Sequence, residues 1–138
     1  KQSGTTRLLV LAGSGYYNVV VAGTEERDTA QDVWGTQIRK GLADLAVLTL
    51  LERESTYGSD LVSRLSAHPT LALASGTVYP LLNRLKAAGM LSTRWQESPL
   101  GPPRKYYSLT PDGRRALAAM RASWKDVVAD LTDILEET

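Results

Sequence analysis

The spacing of apolar positions changes along this chain, and each change marks an element. Two β-prone runs, Arg7 to Ala12 and Tyr16 to Ala22, flank Gly13-Ser14-Gly15, which predicts a β-hairpin near the start. Thr24 to Gln37 is polar and reads as a linker or short helix. From Gly41 to Glu54 the apolar set Leu42, Leu45, Val47, Leu48, Leu50 and Leu51 predicts a helix buried on most sides. Ser55 or Thr56 is placed to cap a second helix from Tyr57 to about Ala67, with Leu61, Val62 and Leu65 inward and Pro69 ending it. Ser75 is a good N-cap for a third helix, and Gly89 a good stop. Val78, Leu81, Leu82 and Leu85 recur at i, i+3, i+4 and i+7, which makes one apolar face. Pro80 lies inside that helix and removes a backbone bond, so a local kink is expected near its start.

Beyond Gly89 the period changes to two. Leu91 to Gln96 and Arg104 to Leu109 read as antiparallel strands, joined by a tip from Glu97 to Pro103. Thr110 caps a last helix and Pro111 fits its first position. That helix runs to about Glu136 with a stripe of Leu117, Met120, Trp124, Val127, Leu131 and Ile134. Spacings alternating between 3 and 4 are those of a two-helix seam. Such a stripe needs a partner helix, and a second copy of the chain is the preferred one.

A helix with one apolar face, a strand, a basic Pro/Gly-rich tip and a returning strand is the order of a winged helix. The expected fold is therefore mainly α with a small β-wing: a winged helix-turn-helix, a long C-terminal dimerisation helix and an extra N-terminal β-hairpin. The expected organisation is 1–37 as an N-terminal extension, 38–110 as the winged helix-turn-helix and 111–138 as the dimerisation helix. The outer side of the third helix carries Ser75, Gly76, Thr77, Tyr79, Pro80, Asn83, Arg84 and Ala87. Gly76, Pro80 and Ala87 keep that surface low, while Thr77, Asn83 and Arg84 supply donors and acceptors. Arg suits guanine and Asn suits adenine in the major groove, each worth roughly 1–3 kcal/mol of discrimination when bidentate; phosphate contact or plain solvation is the other reading of both. Arg104 and Lys105, where the second strand leaves the tip, suit phosphate or minor-groove contact. Tyr106 and Tyr107 point to opposite sides of that strand, one to the core and one toward a phosphate. Tyr57, at a helix N-terminus, meets a phosphate or joins the core.

Composition narrows the alternatives. The chain has 138 residues, 43% apolar and 22% charged, enough for one domain with a modest core. It has no Cys and one His, His68, which stands before Pro69 in a linker, so no metal site and no cofactor are expected. No apolar run approaches the roughly 20 residues of a membrane span, no signal peptide is evident, and a cytoplasmic location is expected. The chain begins at Lys1, so an initiator Met is expected to have been removed or to lie before it. No helix pattern follows Gly13-Ser14-Gly15, and the full glycine fingerprint of a nucleotide-binding loop is absent. Asp44, Glu52 and Asp60 are scattered, and there is no nucleophile elbow or P-loop, so an enzyme is not expected. The net charge of +1 is unevenly spread. Arg84 to Lys125 holds nine Lys or Arg against Glu97 and Asp112, a net of +7, whereas Asp126 to Thr138 holds five acids and no base. The basic block suits an anionic partner or an ordinary solvated face. A winged helix used only for protein association is the competing function.

Several motifs taken together carry a family resemblance. The run Leu42 to Leu51, Tyr57-Gly58, Thr77-Val-Tyr-Pro-Leu-Leu-Asn-Arg-Leu85, Gly89-Met-Leu91 and Arg104-Lys-Tyr-Tyr-Ser-Leu-Thr-Pro-Asp-Gly113 resemble the PadR family of transcriptional regulators, in order, over about residues 38–138. The resemblance implies a homodimer that binds near-palindromic double-stranded operator DNA, mostly as a repressor released by an effector. The short C-terminal helix resembles the compact branch of the family. A multidrug-binding repressor of that branch has a Trp on the same helix, where paired tryptophans sandwich flat aromatic ligands. By that likeness Trp124, with Met120 and Val128 beside it, is a candidate effector contact; as a large seam residue it would simply fill the interface. Residues 1–37 depart from the family pattern and are left as an arm embracing a partner, an effector-responsive element or appended sequence.

Overall fold

The computed structural model describes residues 6–12, 15–21 and 23–137, with side chains described from Val33 onward. The chain divides into two compact units, Lys1–Leu42 and Ala43–Thr138. In the first, β1 (Thr6–Ala12) and β2 (Gly15–Val21) pair antiparallel, Leu9 opposite Asn18. This is the expected hairpin; its Gly13-Ser14 turn lies outside the described residues. The polar stretch from Thr24 is not a linker. It belongs to α1 (Gly23–Arg53), a helix of 31 residues that starts in the first unit and ends in the second. The sequence there lacks an apolar period but has no Pro, and Glu, Gln and Ala tolerate helix well.

The second unit is built on the last turns of α1. Ala43, Val47, Leu48 and Leu51 are buried, while Leu42, Leu45 and Leu50 are only half-buried. Next comes β3 (Thr56–Tyr57), then α2 (Gly58–Ser66), a 3₁₀ turn over Pro69–Leu71 and α3 (Ser75–Ala87). Strands β4 (Leu91–Ser98) and β5 (Gly101–Leu109) form the wing, and α4 (Pro111–Glu136) closes the chain. The sheet order is β3-β5-β4, all antiparallel. Leu61 and Leu65 of α2, Val78, Leu81, Leu82 and Leu85 of α3, Leu91, Tyr107 and Leu109 of the wing, and Leu117 of α4 complete one core.

Three capping expectations are corrected. Neither Ser55 nor Thr56 caps α2, whose N-cap is Tyr57 with no side-chain hydrogen bond. The Thr56 hydroxyl donates instead to Asp60 at 2.7 Å, and Ser55 meets Ser108 across the sheet at 2.7 Å. Pairing with β5 puts Thr56 in a strand, and its hydroxyl is spent on the Asp60 carboxylate rather than on a backbone N–H. Ser75 is the first helical residue of α3, and its N-cap is Ala74, again without a side-chain bond. Pro69 does not end α2, which stops at Ser66; it opens the 3₁₀ turn. Helix α3 runs on through Pro80. The wing tip is also shorter than expected. Glu97 and Ser98 extend β4 and Gly101 to Pro103 extend β5, with Ser98 opposite Gly101 and a register shift after Gln96.

The stop at Gly89 is as expected, and its geometry is complete. Gly89 has φ +79°, its N–H bonds the Lys86 carbonyl, and the Met90 N–H bonds the Leu85 carbonyl, both at 3.0 Å. This Schellman motif satisfies the last carbonyls of α3 and turns the chain into β4. Thr110 caps α4 as expected, accepting from the Gly113 N–H at 3.0 Å. Its hydroxyl also donates to the Gly89 carbonyl at 2.6 Å, and its own N–H bonds the Met90 carbonyl at 3.1 Å. The start of α4 is thus joined to the end of α3 through one threonine. Gly113, buried, lies against the Met90 carbonyl, and a Cβ there would collide with that oxygen.

Gly113→Ala is expected to destabilise the second unit by about 1–3 kcal/mol, the cost of forcing extra volume against packed backbone. A lowered midpoint in thermal or urea unfolding checks it; an unchanged midpoint would mean that α4 docks less tightly than this contact requires.

Candidate nucleic-acid interface

Helix α3 presents Ser75, Gly76, Thr77, Tyr79, Pro80, Asn83, Arg84 and Ala87 to the outside while its apolar residues enter the core. No other atom approaches a Cβ built on Gly76, so the start of this face is open. Beside the helix runs a groove of about 370 Å³. Tyr79 and Asn83 of α3 form one wall, Trp95, Lys105 and Tyr107 of the wing another, and Tyr57, Gly58, Ser59 and Arg104 the end. The topology explains the meeting. Strand β3 is only two residues long, so beyond Tyr57 the chain leaves the edge of β5 and starts α2 beside Arg104 and Lys105.

The cations of the wing rest on aromatic rings. The Arg104 guanidinium lies 4.4 Å from the Tyr57 ring centre. Tyr57 meets Tyr106 edge-on at 5.4 Å, and Arg94 lies 6.0 Å from the Tyr106 ring centre. Lys105 lies 5.7 Å from the Tyr107 ring. Each such contact is worth about 0.5–1 kcal/mol at an exposed site, enough to bias a side chain without consuming its charge. Among the described residues, no carboxylate forms a salt bridge with Arg94, Arg104 or Lys105. Three other cations of the basic block are paired: Arg84 with Asp44, Arg115 with Asp112 and Arg121 with Glu52. Arg121 donates to both Glu52 oxygens, which holds that carboxyl below its ordinary range and ties α4 to α1.

Of the two tyrosines on β5, Tyr107 enters the core and Tyr106 stays half-exposed against Tyr57. Burial pushes the Tyr107 hydroxyl pKa up, with Tyr79 adding to the shift, so Tyr107 stays neutral beside the groove. Tyr79 is 42% exposed, and its ring passes over Gly58, where a Cβ would strike it. Gly58 therefore fixes how close α2 and α3 approach at the mouth of the groove.

Trp95 and Ser59 line this groove although no motif in the sequence marks them, and Gly58 lines it beside Tyr57. Trp95 is 70% exposed, and the alternation Leu91, Thr93, Trp95 along β4 was the signal that placed it on the α3 side. Trp124, Met120 and Val128 lie on α4, away from the groove-lining residues. The Leu117 end of the α4 stripe is buried and Met120 half-buried, whereas Trp124, Val127, Leu131 and Ile134 are exposed, as are Val128 and Leu135. Among the described residues no group of His, Cys, Asp and Glu could hold a metal ion, and no helix is long and apolar enough to cross a membrane.

The N-terminal end of α2 is anchored by a charged cluster whose pH response has a definite sign. Thr56 and then Arg64 hydrogen-bond Asp60 and lower its pKa. A carboxyl depressed in the folded state stabilises above its unfolded pKa of about 3.9, and that contribution is lost as pH falls through the folded value. Thr56→Val should move the Asp60 titration upward toward its ordinary range, followed by carboxyl NMR shifts. An unmoved titration would show that the hydroxyl does not hold the charge.

Comparison with known proteins gives this geometry a context. The sequence pattern of the Transcriptional regulator PadR-like family matches residues 47–119. A transcriptional regulator of Mycobacterium tuberculosis is 30% identical over 95 residues, spanning 69% of this chain and 87% of that protein. A PadR family transcriptional regulator from Eggerthella lenta superposes with a TM-score of 0.76 at 31% identity, covering 83% of this chain and all of the other. Bacillus subtilis PadR, solved in complex with operator DNA, shares the fold at a TM-score of 0.54 and 23% identity, over 57% of this chain and 45% of its own. With the winged fold in place and the family pattern running from the core of α1 into α4, this chain belongs to the PadR-like family of transcriptional regulators.

Proposed function

We propose that this chain binds double-stranded operator DNA as a homodimer and represses transcription until a small flat aromatic or hydrophobic effector releases it. The observation that carries the DNA-binding part is the groove between α3 and the wing, where Arg104 and Lys105 face outward on aromatic rests with no carboxylate neutralising them. Helix α3 enters the major groove, with Thr77, Asn83 and Arg84 toward the base edges and Ser75, Gly76 and Pro80 allowing close approach. Arg104 and Lys105 meet phosphate, Arg104 over the Tyr57 ring and Lys105 over that of Tyr107, with Tyr106 beside Tyr57. Bacillus subtilis PadR, with operator DNA in its structure, has the same fold, which supports this docking.

The dimer part rests on α4. Its exposed stripe, Trp124, Val127, Leu131 and Ile134, continues the buried Leu117 and half-buried Met120 at seam spacing, and a second copy covers it. Trp124, Met120 and Val128 form the effector contact at that seam. Residues 1–37 act as an extension to the 38–110 DNA-binding region and the 111–138 dimerisation helix, and the protein works in the cytoplasm without a cofactor.

Fluorescence anisotropy on the DNA upstream of its own gene, against a scrambled duplex at two salt concentrations, tests the proposal. Tight, salt-sensitive binding that prefers the native sequence is expected. Absence of binding at low salt would sink the DNA-reading function and leave protein association. In the same assay, Arg104→Ala with Lys105→Ala should weaken binding to every duplex and flatten the log–log salt slope by about 1.8, at roughly 0.9 per phosphate contact. An unchanged slope would remove the wing from the interface. Trp124→Ala removes one aromatic ring from each copy and should raise the self-dissociation constant roughly 1,000-fold, at about 2 kcal/mol per ring. Unaltered sedimentation would remove Trp124 from the seam.

A further inference from the structure

Arg84 stands on the outward side of α3, next to Asn83 in the groove wall, yet its charge is already engaged. It donates to both oxygens of Asp44 on α1, at 2.6 and 3.2 Å, across 40 residues of sequence. The pair is not buried: the Arg84 side chain is 60% exposed and that of Asp44 29%. The hydrogen bonds and charge of Asp44 raise the pKa of Arg84 further above its ordinary value. The wing cations differ, since Arg94, Arg104 and Lys105 lie over rings and keep their charge free. Arg84 is thus the α3 cation that carries its own counter-charge, whereas Lys86 on the same helix forms no salt bridge among the described residues.

We infer that Asp44 is a specificity-determining residue, holding Arg84 in a two-pronged clamp that withholds its charge from arbitrary phosphates. This rests on the DNA-binding reading above. The clamp is selective because it cancels the charge of Arg84 without using all of its donors. A carboxylate offers two acceptors matched to the guanidinium fork. Asp44 takes one hydrogen from each of Nη1 and Nη2, and the remaining Nη and Nε hydrogens can still meet guanine O6 and N7, which need donors rather than net charge. A phosphodiester offers two oxygens to the same fork, but it is drawn to net charge, which Asp44 cancels, and the Asp44 carboxylate itself repels it. A phosphate attracts any free cation regardless of sequence, and each such contact adds affinity without information. Asp44 thus acts on the wrong DNA more than on the right one, a difference of affinities produced by withholding a contact. Asp44 does not itself touch DNA; it is a positioning residue acting through Arg84. A purely structural pin between α1 and α3 would alter stability but not the response to salt.

The test compares wild type, Asp44→Asn, Arg84→Ala and the double variant. Binding is measured to a scrambled duplex and to the best duplex selected from a random library, each across a salt series, with thermal unfolding alongside. Asp44→Asn is expected to tighten binding to the scrambled duplex and steepen its log–log salt slope by about 0.9, one added phosphate contact. It should reduce the ratio of selected to scrambled affinity roughly tenfold, within the range of one bidentate contact. The double variant should lose the added slope, since the released cation is gone. If Asp44→Asn leaves the scrambled-duplex slope and the ratio unchanged while wild type binds DNA, the clamp is only structural and the inference fails alone. If Asp44→Asn unfolds, Arg84→Ala decides: it must lower affinity for the selected duplex while leaving the scrambled-duplex salt slope unchanged, and a slope that flattens by about 0.9 would show Arg84 already on phosphate and overturn the inference. If wild type binds no DNA, the DNA-binding reading fails and this inference falls with it.

Discussion

One backbone junction organises the second unit. At Gly89 to Leu91 the chain leaves α3, and at Leu109 to Gly113 it enters α4. Leu91 pairs with Leu109, Thr110 bonds both Gly89 and Met90, and Gly113 lies against Met90. Hydrogen bonds between fixed backbone groups cannot drift the way side-chain packing can. The end of α3, the root of the wing and the start of α4 are therefore set relative to one another by the same few atoms. A left-handed glycine is required at Gly89, and the absence of a Cβ at Gly113, for different reasons: one for φ, the other for approach.

The groove follows from that junction. With the wing rooted at Leu91 and Leu109, its apolar face continues the core as far as Tyr107, and the next residues outward, Lys105 and Trp95, overhang α3. The same alternation that buries Tyr107 sends Tyr106 to the outer face, where it supports Arg94 and touches Tyr57. Packing and charge display are thus two sides of one strand. Cations held over rings keep their full charge toward a ligand, whereas those paired with carboxylates do not. That difference separates Arg104 and Lys105 from Arg84 and Arg121.

Helix α4 has two parts with different duties. Up to Arg121 it is packed against the core, held by Leu117, Gly113 and the Arg121–Glu52 pair. Beyond it every described residue is exposed, including six large apolar ones. An apolar arc of that extent on a helix supported at only one end is the feature of the fold most in need of a partner.

The sequence by itself determined what depends on neighbours a few residues apart. The four-residue apolar set of α3, the glycine stop at Gly89, the Thr110-Pro111 start of α4 and the two-residue period of β4 and β5 were all legible, because each is a local rule. The length of α1 was not, since a polar helix carries no apolar period. The caps of α2 and α3 failed because Ser55, Thr56 and Ser75 satisfy a local rule that sheet pairing and backbone geometry overrode. Only the tertiary structure decided the third strand, as two residues at Thr56 and Tyr57 have no period to read and take their conformation from β5. It also decided which cations are free. Arg84 and Arg104 look alike in sequence, but one meets Asp44 from 40 residues away and the other a tyrosine ring. Such pairings are set by how elements cross in space, and no spacing along the chain encodes them.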